Sequence, residues 1–266
     1  MKNLIYQCWT GKIRSGCLAS KQNMQEYAKR INSDYLFAEN PNIASKTCDV
    51  PWYYEKLNPI LDKNFKKYDN ILCVDMDVFT VDNLQKNIFD EQISDIGICT
   101  EPLQPEIRAK LPGARIGKEK DEKWAKLVKE KWNVDMPRNE NGLLKVYNTG
   151  MIVFSNKGLS KIKERFVPFQ TYIDYIRSHE LGHFYTIDQN YLHAMMFVMK
   201  LDYTEMDNGW NSFVHYMGDR HQKPRPVNDS RNKDTKFVHI QLNSADDYNS
   251  DKLWRIVNKP KKEWML

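Results

Sequence analysis

The chain has 266 residues, 41% hydrophobic and 28% charged, with 40 Lys and Arg against 35 Asp and Glu for a formal charge of +5. That length allows one large α/β domain or two small ones, and its 12% aromatic content with scattered Gly and Pro excludes fibrous, collagen-like and disordered classes. The mild basicity suits an anionic ligand but does not by itself indicate nucleic acid.

Leu4 to Trp9 is a short apolar run ending at Thr10-Gly11, the pattern of a strand feeding a loop. Ser20 is a candidate cap for a helix through Ile31, because Met24, Tyr27, Ala28 and Ile31 share one helical face. Tyr35 to Ala38 reads as the next strand. Asp49 before Pro51 marks a helix start, and Leu57, Leu61 and Phe65 follow on it with a kink expected at Pro59. Ile71 to Val74, Ile96 to Cys99 and Met151 to Phe154 are unbroken apolar strands. Such strands separated by helices predict an α/β fold with a mixed, mostly parallel sheet covered on both faces. The charged stretch Arg108–Lys131, with Trp124, Leu127 and Val128 on one face, reads as a surface insertion. Met217–Lys236 is polar, basic and proline-broken, hence a long loop. No repeat or low-complexity linker divides the chain, which is read as a single domain over residues 1–266.

The most informative triplet is Asp75-Met76-Asp77 at the end of Ile71-Leu72-Cys73-Val74. In an extended chain the two carboxylates point the same way, at the end of the strand where open α/β sheets bind ligands. Hard oxygen donors suit Mg²⁺ or Mn²⁺ sharing a substrate phosphate. Lys67-Tyr68-Asp69-Asn70-Ile71-Leu72-Cys73-Val74-Asp75-Met76-Asp77 resembles the D-x-D block of the GT-A type glycosyltransferases, whose fold is Rossmann-like. Ile5-Tyr6-Gln7-Cys8-Trp9-Thr10-Gly11 is similar to the opening of sugar transferases containing that motif. Tyr147 to Ser155 resembles the N-x-G block of the galactosyltransferase and glycogenin-like group (family 8). Ile187-Asp188-Gln189-Asn190-Tyr191-Leu192 matches that group's D-Q block, and Phe237-Val238-His239 its late metal histidine.

The resemblance implies a metal-dependent transfer of a sugar from a nucleoside-diphosphate sugar to an acceptor hydroxyl. Asp75, Asp77 and His239 would hold the ion, which stabilises a departing nucleoside diphosphate without a proton. Asp188 and Gln189 would face the sugar, although Asp188 also suits a helix cap. Asn148 would touch sugar or acceptor, or shape a turn. Gln7, Trp9 and Thr10, at the end of the first strand, would contact the base or ribose. Lys252, Arg255 or a cation of the basic loop would pair with the diphosphate, because the family's closing H-x-x-G-x-x-K-P-W pattern is absent after His239. The nucleotide-sugar half would span about residues 1–155 and the acceptor half about 156–266. Asp188-Gln189 resembles retaining enzymes, since an amide is no base for an inverting attack.

Two other readings compete. His179-Glu180-Leu181-Gly182-His183 spells the H-E-x-x-H signature of zinc peptidases, with Glu205 or His215 as a conceivable third ligand. It leaves the carboxylate pair, Asn148 and Asp188-Gln189 unexplained. A sugar-nucleotide-binding relative without turnover is the other. Five cysteines without a C-x-x-C pair read as reduced thiols, and no signal peptide or spanning run is evident, so a cytoplasmic setting, bacterial or viral, is expected. The acceptor would then be a glycan, a lipid-linked glycan or a protein. A hydroxylated base of viral DNA is the alternative, with Arg220, His221, Lys223, Arg225, Arg231 and Lys233 tracking phosphates.

Overall fold

Runs of apolar residues without polar alternation become strands buried on both faces. The computed structural model describes residues 1–111, 113–216, 225–242 and 244–265. In chain order, β1 (Asn3–Trp9), α1 (Ser15–Arg30) and β2 (Asp34–Glu39) open the fold. The short α2 (Ile43–Cys48) and α3 (Asn58–Leu61) precede β3 (Asn70–Val74), β4 (Val78–Thr80) and β5 (Ile96–Thr100). Then come α4 (Gln104–Ala109), α5 (Lys118–Trp132), β6 (Tyr147–Ser155), α6 (Asn156–Arg165), α7 (Phe169–Ser178) and α8 (Asp188–Val198). The chain continues through β7 (Tyr203–Glu205), β8 (Ser212–Tyr216), β9 (Val227–Asp229), β10 (Phe237–Gln241), α9 (Ser250–Asn258) and α10 (Lys261–Trp264).

Six strands form a sheet in the order β2-β1-β3-β6-β5-β7. β1 is parallel to β2 and β3, whereas β6 runs against both β3 and β5. The expected mixed α/β sheet is observed. A second sheet, β4-β10-β8-β9, was not foreseen. The Asp75-Met76-Asp77 triplet joins the two: Asp75 N donates to Gly150 O of β6 (2.8 Å), while Ile240 N of β10 donates to Asp77 O (2.8 Å). It is thus a tight link between sheets rather than the extended strand end expected.

Several local expectations are corrected. α1 begins at Ser15, and Ser20 lies buried inside it, donating to Val78 O (2.8 Å) instead of capping a helix. The segment after Pro51 is no kinked helix but a 3₁₀ turn (Trp52–Leu57), α3 and another 3₁₀ turn (Lys63–Lys67), because Pro59 fits the first turn of a new helix and not the interior of an old one. The charged stretch is no surface insertion. Trp124, Leu127 and Val128 are buried in the main core, and Arg108 is sealed against Asp121 (3.2 Å). In the long polar loop, β9 pairs with β8, and residues 217–224 lie outside the described residues, so Arg220, His221 and Lys223 have no place in the following account.

Candidate donor cleft and metal centre

The link between the sheets sets Asp75 and Asp77 beside His239 of β10. One ligand atom from each of the three lies within 4.8 Å of the others, the one such group of His, Cys, Asp and Glu among the described residues. His239 Nε2 is 3.2 Å from Asp77 Oδ1. Gly150 makes this approach possible, since a Cβ there would overlap the His239 ring. Burial opposes charge on His239, but Asp77 overrides it and raises the imidazole pKa. Burial likewise pushes Asp77 up, yet His239 holds it below the ordinary carboxylate value. His239 Nδ1 is buried with no hydrogen-bond partner among the described residues, and Asp77 Oδ1 faces only the His239 ring. Two carboxylates and one imidazole so placed fit a divalent cation.

Asp75 and Asp77 line a cleft of about 270 Å³, together with Trp9, Thr10, Trp52, Lys56 and Asp188 among others. Trp9 and Trp52 stand with ring centroids 6.2 Å apart, and Trp52 is 56% exposed. Lys56, which the sequence reading did not single out, is the cation of this cleft. Its Nζ lies 2.8 Å from Asp75 Oδ1 and 2.8 Å from Asp188 Oδ2, and it also donates to Thr149 O (3.1 Å). Burial alone would lower its pKa, but Asp188 and Asp75 raise it, so it is a fixed positive charge. Burial raises Asp75 in turn, against the pull of Lys56. The position of Lys56 follows from its neighbour. Glu55 accepts from the backbone of Ile43, Ala44 and Ser45 at the start of α2, pinning the 3₁₀ turn that carries both.

The other expected site residues fall in different places. Asp188 opens α8, with Ile187 as its cap, and its side chain faces Lys56 and Thr149 (Oγ1 to Oδ2, 2.9 Å). Gln7 is fully buried. Its amide donates to Ser20 Oγ and Asp75 O and accepts from Tyr35, so its side chain braces the Asp75 link and does not line the cleft, contrary to the expected donor contact. Asn148 is also buried, spanning Glu101 (2.8 Å), Gly150 N (2.8 Å) and Asn211 (2.9 Å); it shapes the wall behind His239. Gln189 Nε2 lies 3.5 Å from Glu101 Oε1, away from the cleft lining. Lys252 does not line the cleft either; its ammonium sits over the Tyr248 ring, 3.4 Å from the centroid.

The H-E-x-x-H string does not form a zinc helix. α7 stops at Ser178, Glu180 is in the left-handed region (φ 59°), and His183 opens a separate 3₁₀ turn. The two histidines therefore do not share a helical face, and His179 Nδ1 is engaged with Tyr175 O (2.8 Å). Glu205 bonds Lys145 and Tyr147. No helix among the described residues is long and apolar enough to cross a membrane.

No protein-family model matches the chain, and no curated protein matches it by sequence. Solved structures do. The galactosyltransferase LgtC in complex with donor and acceptor sugar analogs aligns with a TM-score of 0.52 at 10% identity, over 98% of this chain and 99% of that one. An active-site mutant of LgtC aligns with a TM-score of 0.53 at 9% identity, over 99% and 100%. A glycosyltransferase involved in glycosylation of the major capsid of PBCV-1 gives 0.50 at 12% identity, over 90% and 93%. At these identities the likeness is one of fold: the chain has the GT-A glycosyltransferase fold.

Proposed function

We propose that the protein is a metal-dependent glycosyltransferase that uses a nucleoside-diphosphate sugar and retains the anomeric configuration. The observation that carries this reading is the meeting of Asp75, Asp77 and His239 in the wall of the cleft that holds Trp9, Trp52, Lys56 and Asp188. Asp75, Asp77 and His239 would hold a divalent ion, Mn²⁺ or Mg²⁺. When bound, the ion supplies Lewis-acid stabilisation of the departing diphosphate. Trp9 and Trp52 offer aromatic faces to the nucleobase at the cleft's outer end, and Thr10 a hydroxyl beside them.

Lys56 neutralises Asp75 and Asp188 together, and thereby fixes the Asp188 carboxylate in one orientation. Asp188 keeps acceptor capacity for sugar hydroxyls beyond its bonds to Lys56 and Thr149. The same bonds hold the carboxylate toward Lys56 and Thr149. Asp246, the remaining carboxylate of the cleft, is on the α1 side, where its backbone carbonyl packs against Gly16 and its charge is felt by Asp77. Among the described residues the cleft's carboxylates are thus Asp75 and Asp77 of the metal group, Asp188 bound to Lys56, and Asp246, which supports a reading in which the departing phosphate oxygen takes the acceptor's proton on the same face. Gln189, outside the cleft lining, reaches toward Glu101 with its amide.

The deciding experiment incubates the protein with a panel of nucleotide sugars and Mn²⁺ and follows nucleoside-diphosphate release. Proton NMR then reads the anomer first formed. Release from one donor with the anomer kept is expected. An inverted product would overturn retention, and silence with every donor would overturn transfer itself.

A further inference from the structure

Lys56 bears on the metal centre in a way that its bracing of Asp188 does not explain. Its Nζ lies 2.8 Å from Asp75 Oδ1 and 3.0 Å from Asp75 Oδ2, so both oxygens of one of the three metal-centre side chains already face a cation. Asp188 Oδ2 (2.8 Å), Thr149 O (3.1 Å) and Thr149 Oγ1 (3.2 Å) complete its surroundings. These are more acceptors than the three hydrogens of an ammonium can serve at once. Asp75 is therefore a partner that Lys56 can release while Asp188 and Thr149 still hold it. The Lys56 side chain is 10% exposed, so salt and water screen its charge little. It is also the one ammonium lining the cleft among the described residues.

A divalent cation held by Asp75, Asp77 and His239 shares the Asp75 carboxylate with Lys56. The lone pairs of the two oxygens suffice for both partners, but the two positive charges then oppose each other across one carboxylate in a poorly screened wall. We propose that Lys56 is a positioning residue with a second role: it competes for Asp75 and thereby weakens the cleft's hold on a bare divalent cation, an inference that rests on the metal-centre part of the proposed function. Without an ion, Lys56 supplies the positive charge that keeps Asp75 and Asp188 from repelling one another. Loading draws on the Lys56–Asp75 bonds and spares those to Asp188 and Thr149. The sign of the effect separates this role from bracing. Removing a mere brace loosens the metal centre and weakens its hold on an ion, whereas removing a competitor tightens that hold.

The test titrates the full chain with Mn²⁺ alone, without nucleotide. Electron paramagnetic resonance reads the free ion, and thermal melts with and without Mn²⁺ read stability. Wild type is compared with Lys56→Met, Lys56→Arg and Asp77→Asn. Lys56→Met is expected to bind Mn²⁺ about tenfold or more tightly than wild type, and the charge-keeping Lys56→Arg to stay near wild type. The ion is expected to raise the melting temperature of Lys56→Met by more than that of wild type, because tighter binding to the folded state stabilises it further. Asp77→Asn is expected to weaken binding, which places the ion. Should Lys56→Met fail to fold, Lys56→Met added to Asp188→Asn, compared with Asp188→Asn alone, decides by the same sign. Affinity equal or lower after loss of Lys56, or a Lys56→Arg protein as tight as Lys56→Met, would overturn the competition, while binding that depends on Asp77 leaves the metal centre standing. Mn²⁺ binding that Asp77→Asn does not weaken, or binding by none of these proteins, would overturn the metal centre and this inference with it.

Discussion

The two pockets flank the same wall of side chains and solve opposite electrostatic problems. In the donor cleft, charges of both signs are buried against one another: Lys56 lies between Asp75 and Asp188, and His239 against Asp77. In a second pocket of about 250 Å³, between β5 and the β8–β9 pair beside His215, the lining among the described residues is neutral apart from Glu101, and its unpartnered groups are neutral dipoles. Buried charges are tolerated only when paired, so the cleft is a balanced network that a cation and an anionic ligand can enter together. Neutral groups carry no such penalty and discriminate by hydrogen-bond geometry instead.

The largest expected effect falls on the metal group. Asp75→Asn or Asp77→Asn is expected to lower donor hydrolysis by about a thousandfold, the several kcal/mol that Lewis-acid stabilisation of a leaving diphosphate supplies. Steady-state release of nucleoside diphosphate with Mn²⁺, repeated on wild type in chelator, checks this. Turnover within tenfold of wild type would separate these carboxylates from catalysis.

Next comes Lys56. Lys56→Met leaves Asp75 and Asp188 facing each other without their cation and is expected to cost about 3–5 kcal/mol of stability, as for other broken buried ion pairs. Adding Asp188→Asn removes one stranded charge and is expected to restore part of that loss, a coupling that urea denaturation of the double-mutant cycle measures. Additive losses would mean that Lys56 acts by packing alone.

The fold was legible wherever apolar residues ran unbroken. Ile71 to Val74, Ile96 to Cys99 and Met151 to Phe154 all became strands, because burial on both faces leaves no polar alternation to confuse the pattern. The second sheet was illegible, since β4 and β9 are three residues each and owe their strand form to pairing with β10 and β8. Within the site, Asp75, Asp77 and His239 were legible through the family resemblance and not through residue type alone, since acidic residues and single histidines are common at strand ends; the structure brings the three together. The roles of Gln7 and Asn148 could not be decided from sequence for a physical reason: a buried amide that braces a backbone and one that touches a ligand have the same sequence appearance. Lys56 had one signal, a Glu-Lys pair inside the aromatic and apolar run Trp52 to Leu57, where unpaired charge would not survive burial.

The buried histidines sharpen the comparison through pH. His239 is raised by Asp77, so its contribution to stability is complete below the ordinary histidine pKa and is lost as pH rises through its raised value. His193 is the opposite case. Burial, with the Arg108 charge behind it, pushes it down to about 3, so its contribution is complete above 6.5 and is lost as pH falls toward that value. His215 is also lowered by burial. From pH 6.5 to 4.5 the unfolded chain takes up protons that His193 refuses, and the expected loss is about 2 kcal/mol from this residue. His193→Phe, which keeps an aromatic ring against Trp124 and Tyr147, is expected to flatten that stretch of the curve. Equal slopes for variant and wild type in urea titrations at both pH values would show that His193 accepts its proton in the folded state.

The smallest effect is expected at the mouth of the donor cleft, and it separates affinity from architecture. Trp52 is 56% exposed, so little of its surface depends on folding, and its ring faces Trp9 (6.2 Å) and Tyr53 (5.9 Å) across an open approach. An aromatic contact with a nucleobase adds about 0.5–1.5 kcal/mol beyond area burial, which corresponds to a few-fold to about tenfold in affinity. Trp52→Ala is therefore expected to weaken nucleoside-diphosphate binding by that factor with the melting temperature unchanged, and Trp52→Tyr to recover most of it. Isothermal titration with uridine, guanosine and adenosine diphosphates in Mn²⁺ measures the loss and identifies the base at the same time. A melting temperature that falls along with the affinity in Trp52→Ala, or a loss that Trp52→Tyr leaves in place, would mean that the ring supports the cleft's architecture and not the bound base.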